Sequence, residues 1–178
     1  MECDLLIKDG FVIDGTGGPW FRSDVAITGD RIAHVARHID ATHARRVIDA
    51  EGFVVCPGFF DMHAHSELLF FKYPLAESKV MQGVTTEFSG NCGYSTTGPL
   101  KGMALDTVRD WVENPRTNAL GEFTPTTIPV TVDWTNLPEY FDKVEKSGGI
   151  SINATFMVGF GTVRTAVIGD AKGPPDKG

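Results

Sequence analysis

The chain has 178 residues, a length that fits one ordinary domain or two small ones. Apolar residues make up 42% of it and charged residues 22%, which is typical of a globular protein and not of a disordered one. The formal net charge is -7 without a basic cluster, which argues against nucleic acid or an anionic membrane as a partner. There is no apolar run near the roughly 20 residues that span a bilayer and no basic N-terminal signal, so we expect a cytoplasmic protein.

Residues 1–56 contain a series of short strand-like runs with turns between them. In the first, Leu5 to Lys8 leads through Asp9-Gly10, a dipeptide typical of hairpin turns, into Phe11 to Ile13. Roughly six such runs at this spacing predict a small β-sandwich segment. The later runs are Asp24 to Ile27, Arg31 to Val35, Arg46 to Ala50 and Gly52 to Cys56.

The pattern changes at Pro57-Gly58, and residues 57–178 alternate between strand and helix. This alternation predicts a parallel sheet with crossover helices. The predicted strands are Phe59 to His63, Val84 to Phe88 and Ile150 to Val158, and the predicted helices are Leu75 to Gln82, Met103 to Glu113 and Leu137 to Lys146. Two stretches that follow strands are predicted as loops, Ser89 to Pro99 and Gly159 to Thr162.

The predicted fold class is therefore α/β, a partial TIM-like (β/α) barrel preceded by a small β-sandwich segment. A complete (β/α)₈ barrel takes roughly 250 residues, so residues 57–178 have room only for its first strands and helices. An open parallel sheet of three strands leaves edges and apolar surface uncovered. We therefore expect the chain to be incomplete, the N-terminal portion of a longer protein.

His63 and His65 form the sharpest local motif. Residues two apart at the end of a strand point to the same face, so both imidazoles can approach one ion. Active sites of barrels form at the carboxyl ends of the strands, and imidazole suits Zn²⁺. A chance His-x-His arises in roughly one shuffled sequence in ten, but the turn and apolar strand before this pair favour metal ligands over incidental loop histidines.

Cys92 follows the second predicted strand, between glycines and polar residues. A thiol beside a divalent cation loses its proton and becomes a strong ligand. Spacing alone leaves two interpretations open, a metal ligand and a buried loop cysteine. Cys3 and Cys56 lie in strand-like runs and are expected to be buried, and three widely spaced cysteines do not form a disulfide framework.

The remaining polar candidates give weaker signals. Ser66 and Glu67 follow the histidine pair closely enough to line a pocket or orient a ligand, although a solvated start of a loop fits them equally well. The other histidines lie upstream of the Pro-Gly turn and are expected on the surface. They are His34, His38 and His43.

Together these motifs resemble the N-acyl-D-amino acid deacylases (D-aminoacylases) of the amidohydrolase superfamily. The resemblance covers nearly the whole chain and is carried by Pro57 to His65, Gln82 to Thr86, Gly90 to Gly93 and Val158 to Arg164. It implies a β-sandwich beside a TIM-like barrel, in which zinc activates water to hydrolyse the N-acyl amide of a small amino acid derivative. By position, His63 and His65 match the ligands of the first strand and Cys92 matches the metal-binding cysteine of the family.

The sequence departs from the family in two respects. Phe160 stands where the family usually has a histidine, and no histidine follows His65, although the later strands of the family supply two more histidine ligands and a catalytic Asp. The chain therefore offers three candidate metal ligands and no catalytic residue of its own. We expect it to be inactive alone, with a complementing C-terminal chain or a homo-oligomer as partner. The alternatives are a non-catalytic remnant or assembly subunit, and an amidohydrolase acting on cyclic amides, like the hydantoinases and dihydroorotases.

Overall fold

The computed structural model describes residues 2–114 and 128–174. The chain divides into two compact units, residues 1–57 and residues 58–178. Each unit is built around its own sheet. None of the helices in the described ranges is long and apolar enough to cross a membrane.

The first unit is a five-stranded mixed sheet. Strand β1 lies at its centre, with β2 antiparallel and β4 parallel on its two sides, so that the order is β3-β2-β1-β4 and the short β5 also pairs with β1. Its small core contains Cys3, Leu6 and Ala26. The strands are β1 (Cys3–Val12), β2 (Phe21–Thr28), β3 (Arg31–Ala36), β4 (Ala44–Asp49) and β5 (Val54–Val55).

The hairpin predicted at Asp9-Gly10 is wrong, because β1 runs straight through this dipeptide. Ile7 pairs with Val25 and Gly10 pairs with Ser23, so β1 carries one extra residue here and forms a bulge. Asp9 takes a left-handed φ of 61°, the conformation that a turn would also require. The dipeptide therefore bends the strand without reversing it, and residues 2–57 form five strands instead of the predicted six.

The second unit contains a three-stranded parallel sheet in the order β6-β7-β8. Its main core joins α2 and α3 to loop residues around the buried Trp134 and Tyr140. The strands are β6 (Phe59–Asp61), β7 (Val84–Ser89) and β8 (Asn153–Phe156), and the helices are α1 (Glu77–Val80), α2 (Met103–Glu113), α3 (Leu137–Lys146) and α4 (Phe160–Ile168).

The predicted bounds of α2 and α3 are confirmed, and α1 is shorter than predicted. Helix α3 starts clearly because the Asn136 side chain accepts a hydrogen bond from the amide of Glu139 and Pro138 occupies the first turn. The first residues of α4 fall in the predicted loop Gly159 to Thr162, because Gly161 and β-branched residues hide the helical pattern. Among the described residues we observe neither a second sheet in the first unit nor closure of the parallel sheet, so the sandwich and the barrel stay predictions.

Candidate metal centre

Three candidate ligands meet at the carboxyl end of the parallel sheet. His63 and His65 follow β6, and Cys92 follows β7. One ligand atom from each lies within 4.8 Å of the other two, and His63 Nε2 is 3.2 Å from Cys92 Sγ. All three side chains are exposed, so their ligand atoms remain accessible to an ion and to further ligands.

The donor set fits a divalent metal of the zinc type. Two imidazoles and one thiol are borderline-soft donors, which zinc and related ions prefer to carboxylate oxygens alone. Three protein donors are also the number that catalytic zinc sites use, whereas closed structural sites use four. The residues that the sequence predicts as ligands are therefore brought together by the fold.

A network of Asp61, Lys79 and Glu87 contacts the backbone of His63. The His63 amide donates to Asp61 Oδ1 at 3.1 Å, and the other carboxylate oxygen of Asp61 forms an ion pair with Lys79 of α1. Lys79 also lies 3.3 Å from Glu87 Oε2. Hydrogen bonds from Lys79 and from the His63 amide lower the pKa of Asp61 below its usual range. The lowered pKa favours the ionised form of Asp61, which accepts the hydrogen bond from the His63 amide.

Glu87 lies in the middle of β7 and is completely buried. It accepts hydrogen bonds from Ser89 Oγ at 2.5 Å and from Ser66 Oγ at 3.1 Å, so the strand contacts the residue directly after His65. Sequence reasoning missed Glu87 as a site residue. The available signal was an acid between Thr86 and Phe88 in the middle of a predicted strand, and an acid is rarely buried unless it is paired.

Glu67 is also buried, so the interpretation as a solvated start of a loop is wrong for it, and its role in a pocket or in orienting a ligand stays a prediction. Burial raises the pKa of Glu67 to about 7, and the nearby Glu87 carboxylate adds to the increase. The Tyr140 hydroxyl donates to the Glu67 carbonyl at 2.8 Å and ties this segment to the core. Ser66 and Glu67 thus connect the segment after His65 to Glu87 and to Tyr140.

The loop that carries Cys92 requires an unusual backbone. Cys92 has a φ of 57°, a left-handed conformation that costs a residue with a side chain about 1–3 kcal/mol. A Cβ on Gly90 would lie 2.3 Å from the Met157 carbonyl oxygen, so only glycine fits there. Asn91 Nδ2 donates to the carbonyls of Phe88 at 2.9 Å and Ala64 at 3.2 Å, which joins this loop to the histidine loop.

The other residues considered in the sequence analysis are not among the three candidate ligands, and the burial of one of them differs from the prediction. The three upstream histidines belong to the first unit and are exposed, as predicted: His34, His38 and His43. Cys3 is buried as predicted, whereas the prediction for Cys56 is wrong, because it is exposed beside the end of the two-residue strand β5. Phe160 begins α4 and is 79% exposed.

The fold and this site define a class of protein: the chain belongs to the amidohydrolase family, whose model matches residues 46–137. It is 35% identical to an N-acyl-D-glutamate deacylase and 34% identical to a D-aminoacylase, both from Alcaligenes xylosoxydans xylosoxydans. These alignments cover 98% and 94% of this chain but only 32% and 31% of the relatives. The chain therefore spans about a third of the length of the curated relatives it matches.

A solved structure agrees with the sequence relatives. The N-acyl-D-glutamate deacylase of Bordetella bronchiseptica, complexed with zinc and a phosphonate inhibitor that mimics the tetrahedral intermediate, aligns with a TM-score of 0.75 and 31% identity. The alignment covers 99% of this chain and 34% of that one. This chain is therefore a mixed α/β protein, and its fold is similar to that of this zinc-complexed deacylase over 99% of its length.

Proposed function

We propose that this chain supplies the first half of the metal centre of a hydrolase that cleaves the N-acyl amide of N-acyl-D-amino acids. The observation that carries the proposal is the convergence of His63, His65 and Cys92 at the carboxyl end of the sheet, with donor atoms within 4.8 Å of one another. The proposal includes the finer architecture, in which the first unit belongs to a β-sandwich and the parallel sheet to a TIM-like barrel.

In this proposal His63, His65 and Cys92 hold a divalent metal ion, and zinc is favoured by the donor set and by the zinc-containing relative. When bound, such an ion polarises a carbonyl and activates water. The chain's own contribution is to hold the two imidazoles and the thiol on adjacent loops above the Lys79 network. A general base and further ligands must come from sequence corresponding to the rest of the relatives, because no histidine follows His65.

Metal binding is the first test of this proposal. The chain should bind one Zn²⁺ or more by isothermal titration and elemental analysis, and the double variant His63→Ala, His65→Ala should lose that binding. The matched control is His34→Ala, His38→Ala, which removes two exposed histidines from the first unit. Equal zinc content in the two double variants would show that the ligand assignment is wrong.

Activity is the second test. The chain alone should not release acetate from N-acetyl-D-glutamate, because the centre lacks its remaining ligands. A chimera that replaces the corresponding third of the Alcaligenes N-acyl-D-glutamate deacylase with this chain should hydrolyse it, and His63→Ala in the chimera should reduce the rate to background. Preference for a hydantoin over the acyl amino acid would instead favour the cyclic-amide alternative.

A further inference from the structure

The Cys92 loop has a strained conformation that the loop alone does not explain. Cys92 has a φ of 57°, and a residue in this region persists there only when its surroundings hold it. Asn91 holds the preceding side through the carbonyls of Ala64 and Phe88. The contacts that hold the following side come from the start of α4.

Thr162 provides the central contact. Its side chain is buried, and Oγ1 accepts a hydrogen bond from the Ser95 amide at 2.8 Å while donating to the Ser95 carbonyl at 3.1 Å. A hydroxyl group can play both roles at once, and an apolar side chain of the same shape can play neither. The two residues are 67 positions apart in sequence, so this contact joins separate segments.

Backbone contacts place the same segments together closer to the cysteine. The Gly93 carbonyl accepts hydrogen bonds from the amides of Gly161 at 2.7 Å and Thr162 at 3.3 Å. A Cβ on Gly159 would lie 2.5 Å from the Gly93 carbonyl oxygen. In addition, the Gly159 amide donates to Ser95 Oγ at 3.1 Å. The start of α4 therefore packs directly against the residue that follows Cys92.

From these contacts we infer that Thr162 is a positioning residue, which acts through Ser95 to hold the Cys92 thiol facing His63. The inference rests on the proposed function, in which Cys92 is a metal ligand. Thr162 itself does not touch the metal; its hydroxyl fixes the loop that presents the thiol. Without this hydroxyl, the loop can relax from the strained backbone, and the thiol moves away from the imidazoles.

Cobalt(II) is the probe for this inference, because a thiolate ligand gives it a sulfur-to-cobalt charge-transfer band. The full chain carrying Cys56→Ser, which removes the other exposed thiol, is compared with Thr162→Val, Thr162→Ser and Cys92→Ala in the same background. Thr165→Val is the matched control, since it removes a hydroxyl from the same helix that makes no hydrogen bond to the described residues.

We expect Thr162→Val to bind cobalt about 10- to 100-fold more weakly, in line with the loss of other groups that orient metal ligands, and to lack the charge-transfer band, like Cys92→Ala. Thr162→Ser and Thr165→Val should keep both the affinity and the band. An unchanged band in Thr162→Val would overturn the inference. If Thr162→Val does not fold, Thr162→Ala, which removes the same hydroxyl through a smaller side chain, tests the same two hydrogen bonds to the Ser95 backbone, with the same expectation.

A measurement without metal separates this inference from the proposed function. The amides of residues 90–98 should exchange with deuterium at least tenfold faster in Thr162→Val than in the parent chain, because the Ser95 amide loses its acceptor. If the parent chain binds no cobalt but the variant shows faster exchange, the metal assignment fails and the connection stands. If exchange is unchanged, Thr162 does not hold the loop.

Discussion

Lys79 reaches from α1 to two carboxylates, Asp61 at the end of β6 and the fully buried Glu87 of β7. The two acids are register partners on neighbouring strands, and the single positive charge of Lys79 lies between their carboxyl groups and reduces the repulsion between them. Breaking a buried ion pair is more costly than replacing the whole pair, because the partner that remains keeps its desolvated charge.

We therefore expect Lys79→Met to lower the free energy of unfolding of the second unit by about 3 kcal/mol, the lower end of the range found for a buried charge left without its partner. Glu87→Gln added to Lys79→Met should restore part of the loss. Urea unfolding followed by fluorescence in a Trp20→Phe background reports this unit through Trp111 and Trp134. Equal stability of the single and double variants would contradict a role for the ion pair.

At the residue scale, the candidate ligands could be predicted from the sequence, but the residues that hold the ligand loops in place could not. His63 and His65 are two residues apart, and they lie where an apolar strand-like run changes to polar residues, which is a local signal. Glu87, Lys79 and Thr162 act through partners whose proximity arises only when strands and helices pack together. The residues next to them in the sequence form no pattern that predicts which distant residues they contact.

At the scale of elements, the bulge in β1 depends on one carboxylate. Asp24 of β2 accepts hydrogen bonds from the amides of Asp9 and Ile39, each at 2.8 Å, and forms an ion pair with Lys8 at 3.0 Å. Desolvation by burial raises the pKa of Asp24, but these hydrogen bonds and the lysine outweigh it and keep the pKa below its ordinary value of 3.8.

A lowered carboxyl pKa in the folded state stabilises the fold above the ordinary pKa of 3.8, and this stabilisation is lost as the pH falls through the folded-state value. Asp24→Asn should lower the stability of the first unit at pH 7 by about 2–3 kcal/mol, from the loss of charge-assisted hydrogen bonds. The difference from the parent chain should shrink only below about pH 4.

Urea unfolding followed by ¹⁹F NMR of 5-fluorotryptophan measures this effect, because Trp20 is the tryptophan of the first unit and gives its own resonance. The control is Asp30→Asn, an exposed acid on the turn between β2 and β3. A pH-independent difference between the parent chain and Asp24→Asn would show that the charge of Asp24 does not stabilise the bulge.

The two errors in element prediction have physical causes. Asp-Gly favours a left-handed backbone at Asp9, and both a hairpin turn and a bulge use that conformation. The choice between them depends on whether β2 pairs on both sides of the dipeptide, which is long-range information. Helix α4 begins a short loop after β8 and is held by tertiary contacts of Gly161 and Thr162, which override weak helical propensity. The helices α2 and α3 have strong amphipathic patterns, and their bounds were predictable.

At the scale of the whole molecule, the described part of the second unit exposes large apolar side chains. Strand β6 is an edge strand of the described sheet, with Phe59 and Phe60 each more than half exposed. The first unit also has an edge strand, β3, but its exposed Ile32 and Val35 are interspersed with Arg31 and His34. Charged side chains on an edge oppose pairing with another chain, whereas an apolar edge promotes it.

We therefore expect the chain to self-associate through β6 at micromolar concentrations. In sedimentation velocity, Phe59→Lys, Phe60→Lys should shift the distribution toward monomer, because two added charges at the edge must be desolvated or repel each other on pairing. Ile32→Lys, Val35→Lys on β3 is the matched control and should leave association unchanged. If the remaining two thirds of the Alcaligenes deacylase, added as a separate chain, covers the same edge, it should convert the self-associated form into a mixed complex. Association that responds to the β3 variant and not to the β6 variant would locate the contact on the first unit instead.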